Sequence, residues 1–149
     1  MSNQELFVEE LFISAAMTAA TVFFHSVVIS AAAAIFRATS TRAWGPMRFI
    51  RDSVMLTLLS LVLMGAHVIE IWGWAALFSH LEAFSTFEES LYFSSVAYTT
   101  LGFGDVLLPQ EWRLLAGAIA ADGLLLFGLS AAFLLETAAR LRLGGERAR

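Results

Sequence analysis

The sequence predicts an all-α membrane protein in which three helices cross the bilayer and a shorter helix enters it and returns. Three observations carry that expectation. Residues 11–36, 54–78 and 112–141 are apolar over more than the roughly 20 residues that cross a hydrocarbon core. Residues 87–100 are too short to cross and lead into a glycine-containing segment. The composition fits a bilayer: 58% of residues are hydrophobic and 15% charged, with a mean hydropathy of +0.74. Soluble domains carry roughly 25% charged residues.

The first span, within residues 1–36, is interrupted only by Ser, Thr and His25. Ala15, Ala16, Ala19 and Ala20, followed by the run from Ser30 to Ala34, give it a small-residue face suited to close helix contact. It is therefore expected at the periphery of the subunit, packed on the second span. It lacks the arginine repeat of a voltage-sensing helix. Residues 37–52 form an Arg-rich loop in which Trp44, Pro46, Met47, Phe49 and Ile50 suggest a segment lying on headgroups. The second span, residues 53–78, holds His67 and Glu70, and Trp72, Trp74 and Trp112 are expected in an interfacial aromatic belt.

The short segment begins with Glu88 and Glu89, and acidic residues in a first turn favour a helix start through the helix dipole. A half-helix followed by an extended strand is tolerated in a membrane where it lines a water-filled path. The third span, residues 112–141, carries Asp122 inside and Glu136 near its end, and residues 142–149 form a basic tail. There is no cysteine, so disulfides and thiolate metal sites are excluded, and every Lys/Arg position is Arg.

The arginines set the expected orientation. Arg37, Arg42, Arg48 and Arg51 lie between the first two spans, and Arg140, Arg142, Arg147 and Arg149 follow the third. Glu5, Glu9, Glu10, Glu82, Glu88 and Glu89 lie on the opposite side. The positive-inside rule then puts the N-terminus outside, the Arg loop and tail in the cytoplasm, and the re-entrant segment outside, in the cell (inner) membrane. The Arg-rich loop and tail are the expected contacts to anionic lipid. The acidic N-terminus argues against a cleaved signal peptide.

Residues 99–105 read Thr-Thr-Leu-Gly-Phe-Gly-Asp. A cation that sheds its water needs a row of oxygens in return, and backbone carbonyls supply one. Successive carbonyls point the same way only if some residues take positive φ, which Gly102 and Gly104 adopt cheaply. The heptad resembles the signature of potassium channels, usually Thr-Val-Gly-Tyr-Gly-Asp, with Leu101 in place of Val and Phe103 in place of Tyr. The resemblance extends from Phe84 to about Leu135, through Pro109, Trp112, Arg113, Gly123 and the run from Phe127 to Ala132. It implies a pore domain over residues 53–141: outer helix 53–78, pore helix 87–100, filter 100–105 and inner helix 112–141. It implies K⁺ bound in the filter at Thr100, Leu101, Gly102, Phe103 and Gly104, with Thr99, Asp105, Tyr92 and Phe93 as filter support. One pore loop cannot enclose an axis, so the resemblance implies a homotetramer. Gly123 falls where an inner helix of this family bends to open, although glycine also serves close packing in membranes.

The second informative feature is ionisable residues at mid-membrane depth. His67 and Glu70 are three apart and share one helix face. Counting at about 1.5 Å per residue places His25 and Asp122 near the same depth. Three readings compete for His25, His67 and Glu70. They are a structural hydrogen-bonded pair, a proton-sensitive gate, and a divalent metal site whose N and O donors suit zinc. Asp122 has two readings. Facing the axis, four copies would make an acidic ring in the cavity; facing outward, it would join the His67–Glu70 group. His80 reads as a solvated loop residue.

The expectation is therefore a channel conducting K⁺ down its electrochemical gradient. The alternatives are a non-selective or divalent-permeable cation channel, or a non-conducting membrane sensor on the same fold. No phosphate loop, nucleophile triad, organic-cofactor site or nucleic-acid surface is evident, so no enzyme is expected.

Overall fold

A computed structural model describes residues 3–39 and 46–146, with side chains for residues 4–38 and 48–141. The described residues form four α-helices: α1 (Asn3–Thr39), α2 (Pro46–His80), α3 (Phe87–Tyr98) and α4 (Arg113–Glu146), with a 3₁₀ turn at Gln110–Trp112 before α4. Three stretches are long and apolar enough to cross a membrane: Gln4–Ala38, Arg48–His80 and Gln110–Leu141. The all-helical fold with three spans and one short helix is the one the sequence predicts.

The boundaries differ from expectation at the Arg-rich loop. Arg37 lies within α1, and Arg48 and Arg51 lie within α2, so much of the 37–52 loop is helix. Arg48 reaches across to α4, where its guanidinium donates to the Leu141 carbonyl at 2.7 Å, and it pairs with Asp52 one turn along at 3.5 Å. Helix α4 continues through residues 142–146 where a tail is expected. Arg42, Trp44, Arg147 and Arg149 lie outside the described residues, as do the side chains of Pro46, Met47 and Arg142.

Helices α1 and α4 run parallel and α2 runs against both. Glu10 near the start of α1 accepts from the Leu114 amide at the start of α4, at 3.1 Å. A carboxylate there meets amides with no partner inside their own helix and the positive end of the dipole. Helix α3 begins at the N-cap Thr86, whose hydroxyl accepts from the Glu89 amide at 3.1 Å, while Glu89 reaches back to the Ser85 amide at 3.3 Å. This is a variant of the Thr-x-x-Glu box that closes helix starts.

Each long helix turns one stripe inward. On α1 the buried positions are Glu10, Thr21, His25, Ala32 and Phe36; on α2 they include Leu59, Leu63, His67, Glu70, Trp74 and Phe78. On α4 they include Leu115, Ile119, Asp122, Leu126, Ser130 and Thr137. The spacing is helical throughout. The small-residue face of α1 divides: Ala15, Ala16, Ala19 and Ala20 are exposed, whereas Ala32, in the run from Ser30 to Ala34, is buried with Phe36 and Leu59. Helix α1 also packs more extensively on α4 than on α2. The reason is that polar groups in a membrane need partners more than small groups need close contact. Thr21, His25 and Glu10 therefore decide which side of α1 faces its neighbours.

Candidate functional site

The chain leaves α3 through Thr99, with φ −80° and ψ 0°, and enters a loop in which every second residue has positive φ. Thr100 is at +59°, Gly102 at +58° and Gly104 at +78°, while Leu101 and Phe103 are not in the positive region. A strand with φ of one sign turns alternate carbonyls to opposite sides; alternation of sign lets successive carbonyls share a side. Thr100 takes this conformation at a steric cost that the glycines escape. The loop's first amides turn back to the end of α3. Thr100 N–H donates to Ala97 O at 3.0 Å, Leu101 N–H to Val96 O at 3.0 Å, and Gly102 N–H to Val96 O at 3.4 Å.

Two side chains brace this loop. The Thr99 hydroxyl donates to Ser95 O at 2.7 Å, and the Tyr92 hydroxyl donates to Asp105 Oδ2 at 2.6 Å. The Tyr92 bond holds the Asp105 carboxyl below its ordinary range, and the same bond raises the Tyr92 phenol. Phe93 packs with Phe78 and Phe84, at ring-centroid distances of 5.4 and 5.2 Å, and supports α3 from behind. Leu101 and Phe103 project from the single chain, 56% and 65% exposed. Beside the loop lies a cleft of about 320 Å³, lined in part by Val96, Ala97 and Gly102 and by Ala116 and Ala120 of α4.

The ionisable residues meet as a second group directly behind α3. His25 Nδ1 lies 2.8 Å from Glu70 Oε1, and His67 Nδ1 lies 3.2 Å from Glu70 Oε2. Two residues not anticipated from sequence complete the network. Tyr98, the last residue of α3, donates its hydroxyl proton to Glu70 Oε2 at 2.5 Å and stands 2.9 Å from His67 Nδ1. Ser130 of α4 lies 3.0 Å from Nε2 of both histidines. Phe127 stacks on His67 with centroids 4.1 Å apart. One cluster thus joins all four helices. The sequence signal for Ser130 is its place on the stripe through Leu115, Ile119, Asp122 and Leu126; Tyr98 carries no comparable signal.

Asp122 is 1% exposed and faces α1 and α2 of its own chain. Its Oδ2 accepts from the Trp74 indole N–H at 2.9 Å and the Thr21 hydroxyl at 2.8 Å, while Oδ1 has no partner. The cavity reading of Asp122 is thereby corrected. Buried donors on α1 and α2 hold the carboxyl on a different side of α4 from Ala116 and Ala120. It shares no hydrogen bond with the His67–Glu70 pair but stands next to it, its partners Thr21 and Trp74 lying one turn from His25 and Glu70. Trp74 is fully buried among the helices, whereas Trp72 is 54% exposed. Gly123 lies under the end of α3: a Cβ there would overlap the Tyr98 carbonyl oxygen and come within 2.9 Å of the Tyr98 ring. The glycine has a packing role, and α4 is continuous through it.

Three membrane-length helices, with a half-helix handing the chain to a loop of alternating φ, define a pore-loop membrane protein. A family model described as an ion channel matches residues 65–140, from the middle of α2 through most of α4. The chain belongs to this two-transmembrane, pore-loop family of ion channels, with α1 outside the matched region. No curated protein and no solved structure gives a significant match.

Proposed function

We propose that this chain is the subunit of a homotetrameric potassium channel in the cell (inner) membrane. Residues 100–104 form its selectivity filter, α3 its pore helix, α2 its outer helix and α4 its inner helix. The observation that carries the reading is the alternating φ of Thr100, Gly102 and Gly104 in a loop whose first amides are tied to α3. Amides spent on α3 leave carbonyls to replace the water of a K⁺ ion, which is the cargo of the pore. The Thr100 hydroxyl adds an oxygen at the inner end.

Assembly follows from what one chain leaves bare. Leu101, Phe103 and Leu107 are 56%, 65% and 71% exposed, in a loop whose function requires partners around an axis. The cleft beside the loop gives a neighbouring subunit its seat. Four pore helices then aim their partially negative C-terminal ends at the cavity below the filter. The N-terminus is external and the C-terminal end of α4 cytoplasmic, with Arg37, Arg48 and Arg140 near anionic headgroups.

Phe103 lacks the hydroxyl that the family's usual tyrosine offers, which favours weakened discrimination as the competing reading. The Tyr92–Asp105 bond offsets this by tying the outer end of the filter to the pore helix. Control of the pore is assigned to the His25–His67–Glu70 group, because Tyr98 joins Glu70 two residues before Thr100.

Flux from proteoliposomes tests the proposal. Vesicles loaded with K⁺ and diluted into a K⁺-free solution should lose K⁺ when the chain is present. Gly102→Ala, which forces a Cβ onto a backbone at φ +58°, should abolish the loss while the oligomer survives. Vesicles that retain K⁺ with the unaltered chain would refute conduction.

A further inference from the structure

The group behind the filter is built from donors that a transition metal uses. His25 comes from α1, His67 and Glu70 from α2, and one ligand atom from each lies within 4.8 Å of the other two. Tetrahedral zinc holds N and O ligands at about 2.0–2.2 Å, which separates them by about 3.4 Å. The separations of 2.8 and 3.2 Å to Glu70 are a few tenths of an ångström shorter, so an ion would spread these ligands slightly.

A proton count sharpens the assignment. Both Nδ1 atoms face the Glu70 carboxylate, and both Nε2 atoms face the single Ser130 hydroxyl at 3.0 Å. A hydroxyl has one proton and two lone pairs. With both imidazole protons on Nδ1, Ser130 can serve only one of two bare Nε2 atoms. With both protons on Nε2, Ser130 accepts both, and two bare Nδ1 atoms converge on an anionic carboxylate. With His25 protonated on Nδ1 and His67 on Nε2, Ser130 serves both Nε2 atoms and the bare His67 Nδ1 can accept from the Tyr98 hydroxyl 2.9 Å away. Two neutral imidazoles beside an ionised Glu70 thus draw the Tyr98 proton from Glu70 to His67, whereas positive charge between the Nδ1 atoms and Glu70 leaves that proton on the carboxylate.

The geometry points to a divalent transition-metal ion, zinc by its donor set, bound by Nδ1 of His25, Nδ1 of His67 and the Glu70 carboxylate. With that ion in place each polar contact is satisfied. Both Nε2–H groups donate to Ser130, and Tyr98 donates to the ligating carboxylate, as outer-shell partners of metal ligands do. Charge agrees. Glu70 and Asp122 are both buried, and no arginine is among the buried described residues. A divalent cation offsets the Glu70 carboxylate it touches. Mg²⁺ and Ca²⁺ prefer all-oxygen shells, so two imidazoles select against them. The ion cross-links α1 to α2 and, through Tyr98, holds the end of α3.

Direct binding tests this without any ion current. The full chain, purified in detergent, is stripped with a chelator, dialysed against Zn²⁺ and assayed for metal and protein. One zinc per chain is expected, lost in His25→Ala, His67→Ala and Glu70→Gln, and unchanged in His80→Ala, which removes an exposed histidine. Ser130→Ala keeps all three ligands and should weaken binding by about 10–100-fold. Because loss of a buried ligand can unfold the chain, Co²⁺ bound to the unaltered protein supplies an independent reading. Tetrahedral visible absorption bands, displaced by Zn²⁺, are expected. Absence of retained zinc, zinc unchanged in folded ligand variants, or an octahedral Co²⁺ spectrum would each overturn the proposal, the first leaving protons as the occupant.

Discussion

Gly123 and Tyr98 meet at the point where α4 supports the end of α3, and neither has room to move independently. The Tyr98 ring is fully buried and its hydroxyl is committed to Glu70. A methyl at position 123 would therefore push on a backbone carbonyl held from two sides. Overpacking of this kind costs about 1–3 kcal/mol, so Gly123→Ala should lower the Tm of the purified protein. An unchanged Tm would show that α3 can shift. Asp105 offers a second residue-level prediction. Its carboxyl is held below the ordinary 3.8 by Tyr92, so the bond contributes fully above that pH and is lost only as pH falls through the lower folded value. Currents should therefore show no Asp105 titration between pH 5 and 8 by this route, as even the lower limit of that range lies more than about one unit above the group's pKa. Tyr92→Phe should weaken K⁺ over Na⁺ discrimination at neutral pH, which bi-ionic recordings read directly.

At the scale of elements, helix association in a membrane rests on packing and interhelical hydrogen bonds. The Thr21–Asp122–Trp74 contact joins α1, α4 and α2 in one set of bonds. Such bonds contribute about 0.6–2 kcal/mol each. Thr21→Val and Trp74→Phe should each lower thermal stability by that order, with Trp74→Phe the larger because it also removes buried aromatic packing against Phe78. This is also where the sequence stops being legible. Counting residues along three spans fixes depth, which is why His25 and Glu70 are expected together and are found 2.8 Å apart. Depth does not fix rotation. The Ala15–Ala20 face looks suited to contact but is exposed, and Asp122 turns to α1 and α2 where two orientations are open. Tyr98 and Ser130 escape notice because a tyrosine ending a short helix and a serine within an apolar run are unremarkable until their neighbours are known.

For the whole molecule, the span count, the short helix α3 and the parallel course of α1 and α4 all follow from apolar length and charge placement. The Glu10–Leu114 and Arg48–Leu141 contacts pin opposite ends of the bundle. In the proposed tetramer, the exposed side chains at 101, 103 and 107 are where neighbouring copies would pack. Native mass spectrometry in detergent should give four chains per particle; a stable monomer that still conducts would contradict the assembly. The claim on which the account turns is that residues 100–104 select K⁺. Purified protein in a planar bilayer, with K⁺ on one side and Na⁺ at equal concentration on the other, measures it most directly. A reversal potential displaced far from zero toward the K⁺ equilibrium potential is expected, and one at zero would refute K⁺ selectivity.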